Sequence, residues 1–210
     1  MSELLSYLNN DDSYTSRRQF LGGLAAAGTG AVLSGTRLSA QAPAAGPRRL
    51  DRHHHFVSPG LAKKASEVRR QGWETLRDYS VTKTVEIMDK AGIATGFASL
   101  TTPGIWMGDE FRIERAQTIA LAREMNEFAA RMMSDHKGRF GLFSVLPMPD
   151  VDATLKEIEY SFDTLHADGA GFLSSYGRQW LGDKDFAPVW EELNRRNAVV
   201  YTHPTDSACC

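Results

Sequence analysis

Phe140-Gly141-Leu142-Phe143-Ser144-Val145-Leu146, followed by Pro147-Met148-Pro149-Asp150, is the stretch that decides the fold. An uncharged, mostly apolar run of this length reads as a strand buried on both faces. Directly after it, Val151, Leu155, Ile158, Phe162 and Leu165 fall at helical spacing and predict one apolar stripe, with Asp150 placed to cap the first turn. A buried strand followed by an amphipathic helix is the unit of a parallel sheet covered by helices.

The same alternation extends in both directions. Towards the N-terminus, Arg48–Val57 is strand-like and closed by Ser58-Pro59, and Leu61–Gln71 is helix-compatible up to Gly72. Thr82–Ala91 predicts a helix ended by Gly92, and Ile93–Leu100 a second apolar strand. Glu110–His136 predicts a long helix with Leu121, Met125, Phe128 and Met132 on one face, stopped by Gly138. Towards the C-terminus, Gly169–Ser174 is a fourth strand. Phe186, Val189, Trp190 and Leu193 mark a further helix, with Pro188 in its first turn and Asn197 able to take the left-handed C-terminal position. Ala198–Thr202 is a fifth strand, almost wholly apolar.

No Gly-x-Gly-x-x-Gly turn follows the first strand, which weighs against a dinucleotide fold. A (β/α)8 TIM barrel fits the α/β alternation better. Four βα units occupy Arg48 to Asn197, so eight of that size would exceed the roughly 250 residues of a typical barrel. The expectation is a barrel truncated after about strand 5.

Composition narrows the class. Of 210 residues, 42% are hydrophobic and 24% charged, with 18 Gly and 8 Pro, which excludes collagen-like and wholly disordered chains. Twenty-four Lys and Arg against 26 Asp and Glu give a net charge of −2, so no basic excess exists to neutralise nucleic-acid phosphates. The two cysteines, Cys209 and Cys210, are adjacent, so no disulfide framework braces the fold.

The N-terminus has a different character. Ser16-Arg17-Arg18-Gln19-Phe20-Leu21 opens an apolar, Gly/Ala-rich run to Leu33, and Ala40-Gln41-Ala42 follows as a small-x-small cleavage pattern. The paired arginines resemble a bacterial twin-arginine signal, which predicts export, with the periplasm as destination. The run from Phe20 to Leu33 is shorter than the roughly 20 apolar residues a bilayer span needs. The predicted organisation is therefore a signal over residues 1–42, a linker over 43–47 and a barrel domain over 48–210, with no membrane span after cleavage.

Two places carry chemistry. In Asp51-Arg52-His53-His54-His55-Phe56, strand periodicity puts His53 and His55 on one face and His54 on the other. Val199-Val200-Tyr201-Thr202-His203-Pro204 ends the fifth strand with another imidazole. In a barrel both lie at the C-terminal mouth, where three His could hold one divalent cation with an open position. His136 and His166 fall near helix C-termini and read as structural. Trp106 and Asp109, on the loop after the second strand, and Arg178, after the fourth, are substrate-pocket candidates. Such loop residues equally suit packing against a second subunit, which leaves a homodimer open.

Asp51-x-His53-x-His55 resembles the start of the amidohydrolase superfamily. Further stretches resemble its amidohydrolase-2 branch, which includes aminocarboxymuconate-semialdehyde decarboxylase and decarboxylases of hydroxylated aromatic acids. They are Ser99–Gly104, Gly138–Gly141, Leu146–Asp150, Leu181–Asp183 with Glu192–Arg196, and Tyr201–Pro204. The resemblance implies a barrel of the metal-dependent hydrolase type, with His53, His55 and His203 as ligands of one divalent metal, zinc by expectation. It also implies a small carboxylic acid substrate, decarboxylated without oxidation, and Asp51 as an orienting residue behind the ligands. A superfamily hydrolase acting on an ester, lactone or amide is the alternative from the same three His, and an inactive truncated fragment is the third reading. The family's later His and Asp have no counterpart, because the sequence ends seven residues after His203.

Overall fold

The computed structural model describes residues 49–68, 77–102, 104–105 and 113–205. The signal over 1–42, the linker over 43–47, Trp106, Asp109, Cys209 and Cys210 lie outside the described residues. The elements in order are β1 (Arg49–His55), α1 (Pro59–Val68), α2 (Val81–Ala91), β2 (Ile93–Ser99), α3 (Arg115–Asp135), β3 (Phe140–Val145), α4 (Val151–Asp163) and β4 (Gly169–Leu173). A short hairpin, β5 (Ser175–Tyr176) and β6 (Gln179–Trp180), precedes a 3-10 turn at Lys184–Phe186, then α5 (Ala187–Arg195) and β7 (Val199–His203). Among the described residues, no helix is long and apolar enough to cross a membrane.

Five strands pair in parallel in the order β1-β2-β3-β4-β7. Local signals place the helix ends where the sequence predicts them. The Ala153 N–H donates to Asp150 at 3.0 Å, Gly92 and Asn197 take positive φ of 66° and 50°, and Pro188 sits in the first turn of α5. His136 ends α3, its N–H on the Met132 carbonyl at 3.0 Å and its ring edge-on to Phe140. His166 adopts a φ of 56° in the turn after α4.

Alternate strand residues separate two surfaces. Ala98, Phe140, Leu142, Ala170 and Phe172 join the apolar clusters formed with the helices. Phe97, Phe143 and Tyr201 face the other way and stack in a row, with Phe143 5.3 Å from Tyr201 at an interplanar angle of 5°. Phe143 belongs to β3 and Tyr201 to β7, with β4 between them. Gly171, the partner of Tyr201 in the ladder, and Gly169 leave the space the Phe143 ring crosses. A Cβ on Gly169 would stand 2.6 Å from the Val199 carbonyl oxygen and 2.9 Å from Phe143.

The sheet also curls. Strands lie about 4.8 Å apart, so a flat sheet of five would set its outer strands roughly 19 Å from one another. Here His53 on β1 bonds Tyr201 on β7 at 2.8 Å. Only an arc, as in the wall of a barrel, brings the outer strands that close.

Three expectations are corrected. The predicted α4 stripe is only partly the buried one: Ile158 is buried, while Val151, Leu155, Phe162 and Leu165 are half-buried. The buried face runs instead through Ala153, Thr154, Glu157, Ile158 and Ser161. Glu157 tolerates burial because it accepts from Asn126 Nδ2 at 2.8 Å and from Arg123 Nε at 3.0 Å. Asn126 in turn accepts from the Val145 N–H at 2.7 Å and donates to its carbonyl at 2.8 Å, clasping the end of β3. Second, β7 is apolar but not buried: Val199 is 58% and Val200 40% exposed, since the strand pairs only with β4 among the described residues. Third, the hairpin over 175–180 is absent from the sequence reading. Its turn is made by Gly177 at a φ of 62°, which lets so short a ribbon reverse.

Candidate metal centre

The site begins with a break in regular pairing. The β1–β2 register shifts between Asp51 and His54. Asp51 fills that irregularity, accepting from the His53 N–H at 3.0 Å and meeting His54 Nδ1 at 3.1 Å. Burial alone would raise the Asp51 carboxyl, but the His53 N–H and the His54 ring outweigh it and hold the carboxyl below its ordinary value. The His54 ring lies over Gly96, where a Cβ would be 2.9 Å from its Cγ. Asp51 therefore turns His54 away and fixes the backbone of His53. Its bonds go to the His53 backbone and the His54 ring rather than to a ring of the cluster.

His53 and His55 point together, as strand periodicity predicts, with ring centroids 4.6 Å apart. His203, at the end of β7, joins them with centroids 4.9 Å from each. One ring nitrogen from each of the three lies within 4.8 Å of the other two. The structure thus brings together the three imidazoles singled out from sequence. His53 is exposed, His55 half-buried, and His203 only 9% exposed.

Hydrogen bonds set which nitrogens face inwards. His203 Nδ1 is 2.6 Å from the Pro204 carbonyl, which can only accept, so Nδ1 carries the proton and Nε2 keeps its lone pair. That Nε2 lies 3.3 Å from His55 Nε2. His55 Nδ1 is buried with no hydrogen-bond partner among the described residues. Burial first, then the His203 and His53 rings, push His55 down to about 4, and burial likewise lowers His203. Both are neutral at pH 7, the form that coordinates metal.

The donor set fits a cation. Two nitrogens each about 2.1 Å from one ion at a tetrahedral angle stand roughly 3.4 Å apart, close to the observed 3.3 Å. Among the described residues, no carboxylate joins the three rings to make them a salt-bridge cluster instead.

Arg178 is not brought to the cluster. It sits exposed beside Gly177 at the tip of the hairpin after β4. That hairpin lies at the same end of the sheet as His203, whose carbonyl accepts from the Ser174 N–H at 2.8 Å. Tyr201, which bonds His53, and Phe143, stacked on Tyr201, went unselected by sequence reasoning. The available signal was period two on the last strand, which puts Tyr201 on the face of His203.

Comparison with known proteins follows the same residues. The family profile described as Amidohydrolase matches residues 50–209. The chain is 39% identical over 166 residues to Decarboxylase yanB of Aspergillus niger, covering 76% of this chain and 44% of that protein. It is 35% identical over 162 residues to the 6-methylsalicylic acid decarboxylase acuB of Aspergillus aculeatus, covering 75% and 48%. A 5-carboxyvanillate decarboxylase of Novosphingobium aromaticivorans, solved with manganese and 4-hydroxy-3-methoxy-5-nitrobenzoic acid, superposes with a TM-score of 0.68 at 18% identity, over 77% of this chain and 51% of that one. The likeness is one of fold. The chain spans about half the length of the curated relatives it matches.

Proposed function

The chain belongs to the amidohydrolase family, and on that premise we propose that it serves a metal-dependent, non-oxidative decarboxylation of a small hydroxylated aromatic carboxylic acid. The observation that carries the reading is the convergence of His53, His55 and His203, from the two outer strands, on one point at the rim of the sheet. The names of similar proteins supply the substrate class: 6-methylsalicylic acid for one and a carboxylated vanillate for another.

In this reading His53, His55 and His203 would hold the cation, which would supply Lewis-acid chemistry for a carboxylate and its neighbouring oxygen. The chain keeps the His203 Nε2 lone pair available. Burial holds His55 and His203 neutral, and the Pro204 carbonyl fixes the His203 tautomer. Tyr201 stands edge-on to His53 and stacks on Phe143. Arg178, Trp106 and Asp109 are proposed to line the substrate pocket. An all-nitrogen trio favours zinc among common cations, although the similar carboxyvanillate enzyme was solved with manganese. The twin-arginine pattern at Arg17-Arg18 supports a periplasmic address for the domain.

The test is release of CO2 from 6-methylsalicylate and 2,6-dihydroxybenzoate by protein loaded with zinc or manganese. Metal-dependent release, abolished in His55→Ala, is expected. Cleavage of esters or lactones without CO2 release would overturn the decarboxylase reading in favour of a hydrolase.

A further inference from the structure

Three imidazoles hold one cation only if each presents the right nitrogen, and for His203 that choice is made just beyond its strand. His203 ends β7, and Leu173 at the end of β4 is its partner in the ladder. Ser174, the first residue after β4, carries the pairing one bond further, donating its N–H to the His203 carbonyl at 2.8 Å. Its side chain then takes hold of the loop: Ser174 Oγ accepts the Thr205 N–H at 3.0 Å. One half-buried serine thus grips the chain on both sides of Pro204.

The two bonds leave Pro204 little freedom. Its ring locks φ at about −65°, so the peptide unit that follows can turn only about ψ. That unit is planar and trans, and carries the Pro204 carbonyl on one side and the Thr205 N–H on the other. Pinning the N–H on Ser174 Oγ therefore points the carbonyl the opposite way, where it meets His203 Nδ1 at 2.6 Å. A carbonyl only accepts, so Nδ1 carries the proton. Nε2, 3.3 Å from His55 Nε2, keeps its lone pair. Without the Ser174 hydroxyl the peptide unit can rotate, and water competes for Nδ1, because Pro204 is exposed.

We infer that Ser174 is a positioning residue for the metal centre: its hydroxyl sets the turn of the Pro204–Thr205 peptide unit, and through the Pro204 carbonyl it fixes His203 in the Nδ1–H tautomer with Nε2 towards the cluster. The role rests on the metal-centre reading above, whereas the tautomer is a property of the metal-free chain. The neighbouring Ser175 gives the contrast. Its Oγ is buried with no hydrogen-bond partner among the described residues, so it has no hold on the loop.

Long-range 1H–15N correlation on histidine-labelled, metal-free protein reads the His203 tautomer, and calorimetric titration with Zn2+ or Mn2+ reads affinity. The unmodified protein should show His203 protonated on Nδ1. Ser174→Ala removes the acceptor of the Thr205 N–H but keeps the backbone bond to His203. It should give a mixture of the two tautomers and weaken cation binding by about 10-fold. Ser174→Thr returns a hydroxyl to the same carbon and should restore both readings, while Ser175→Ala should change neither. Three results overturn the proposal: an Nε2–H His203 in the unmodified protein, an unchanged tautomer in Ser174→Ala, or Ser174→Thr or Ser175→Ala behaving as Ser174→Ala does. Tautomers that move as expected in a protein that binds no cation would uphold the positioning role and sink the metal-centre reading. One cation bound per chain, with the tautomer unmoved in Ser174→Ala, would do the reverse.

Discussion

His55 Nε2 and His203 Nε2 face each other at 3.3 Å, although their strands are the two outermost of five and 148 residues separate them in sequence. The approach needs the sheet to curl, and the curl needs space on its concave face. Glycines on β4 supply that space, and the stacked Phe143 and Tyr201 fill it.

Adding a methyl group to β4 should therefore be felt unequally. At Gly169 a Cβ meets the Val199 carbonyl at 2.6 Å, so Gly169→Ala should cost about 1–3 kcal/mol in urea unfolding. At Gly171 the nearest atom is 3.4 Å away, an ordinary contact, and Gly171→Ala should cost less than about 1 kcal/mol. Equal costs would contradict the description of the concave face.

Asn126 joins α3 to the end of β3 and to buried Glu157 on α4. Asn126→Ala strands the Val145 N–H and carbonyl and leaves Glu157 with Arg123 alone. A loss of about 2–4 kcal/mol is expected in urea unfolding. A loss below about 0.5 kcal/mol would show that the clasp is not structural.

The junction of α4 and α5 should govern acid sensitivity. Hydrogen bonds from Arg195 and Arg196 hold Glu192 down at about 2, and Arg196 also lowers Asp163, which it meets at 2.6 and 2.9 Å. A carboxyl whose folded value lies below its unfolded value of 4.5 binds fewer protons when folded. Its contribution is complete above pH 4.5 and is lost as pH falls towards 2. The urea midpoint should drop across that window, and Arg196→Met should flatten the drop. The effect should be modest and weakened by salt, because both pairs are at the surface. An identical slope in the variant would count against it.

Much of this architecture is legible in the sequence, for identifiable reasons. Helix ends follow from local chemistry, so Asp150, Gly92, Pro188 and Asn197 mark them without any tertiary knowledge. His53, His55 and His203 were legible because strand periodicity and strand order place them at one rim. Only part of the buried α4 face was legible, because a buried Glu157 looks polar in a pattern and only its partners on α3 reveal why it is inside. The exposure of Val199 and Val200 was illegible because apolarity reports what a residue can bury, not whether a neighbour is there. The bond from Tyr201 to His53 depends on curvature, which no local pattern encodes.

The address has its own test. If Ser16–Leu21 begins a twin-arginine signal, changing Arg17 and Arg18 to Lys should retain the precursor in the cytoplasm. The unmodified chain should yield a product starting near Pro43 outside it. N-terminal sequencing of fractionated cells distinguishes the two, and export that ignores the replacement would refute the signal.

Calorimetric titration of metal-free protein with Zn2+ or Mn2+ asks whether the three imidazoles from the outer strands form one metal site. One ion per chain is expected, with at least about a 100-fold loss of affinity in each of His53→Ala, His55→Ala and His203→Ala, and His54→Ala binding as the unmodified protein does. Binding that survives all three substitutions, or that is lost with His54 instead, would contradict it.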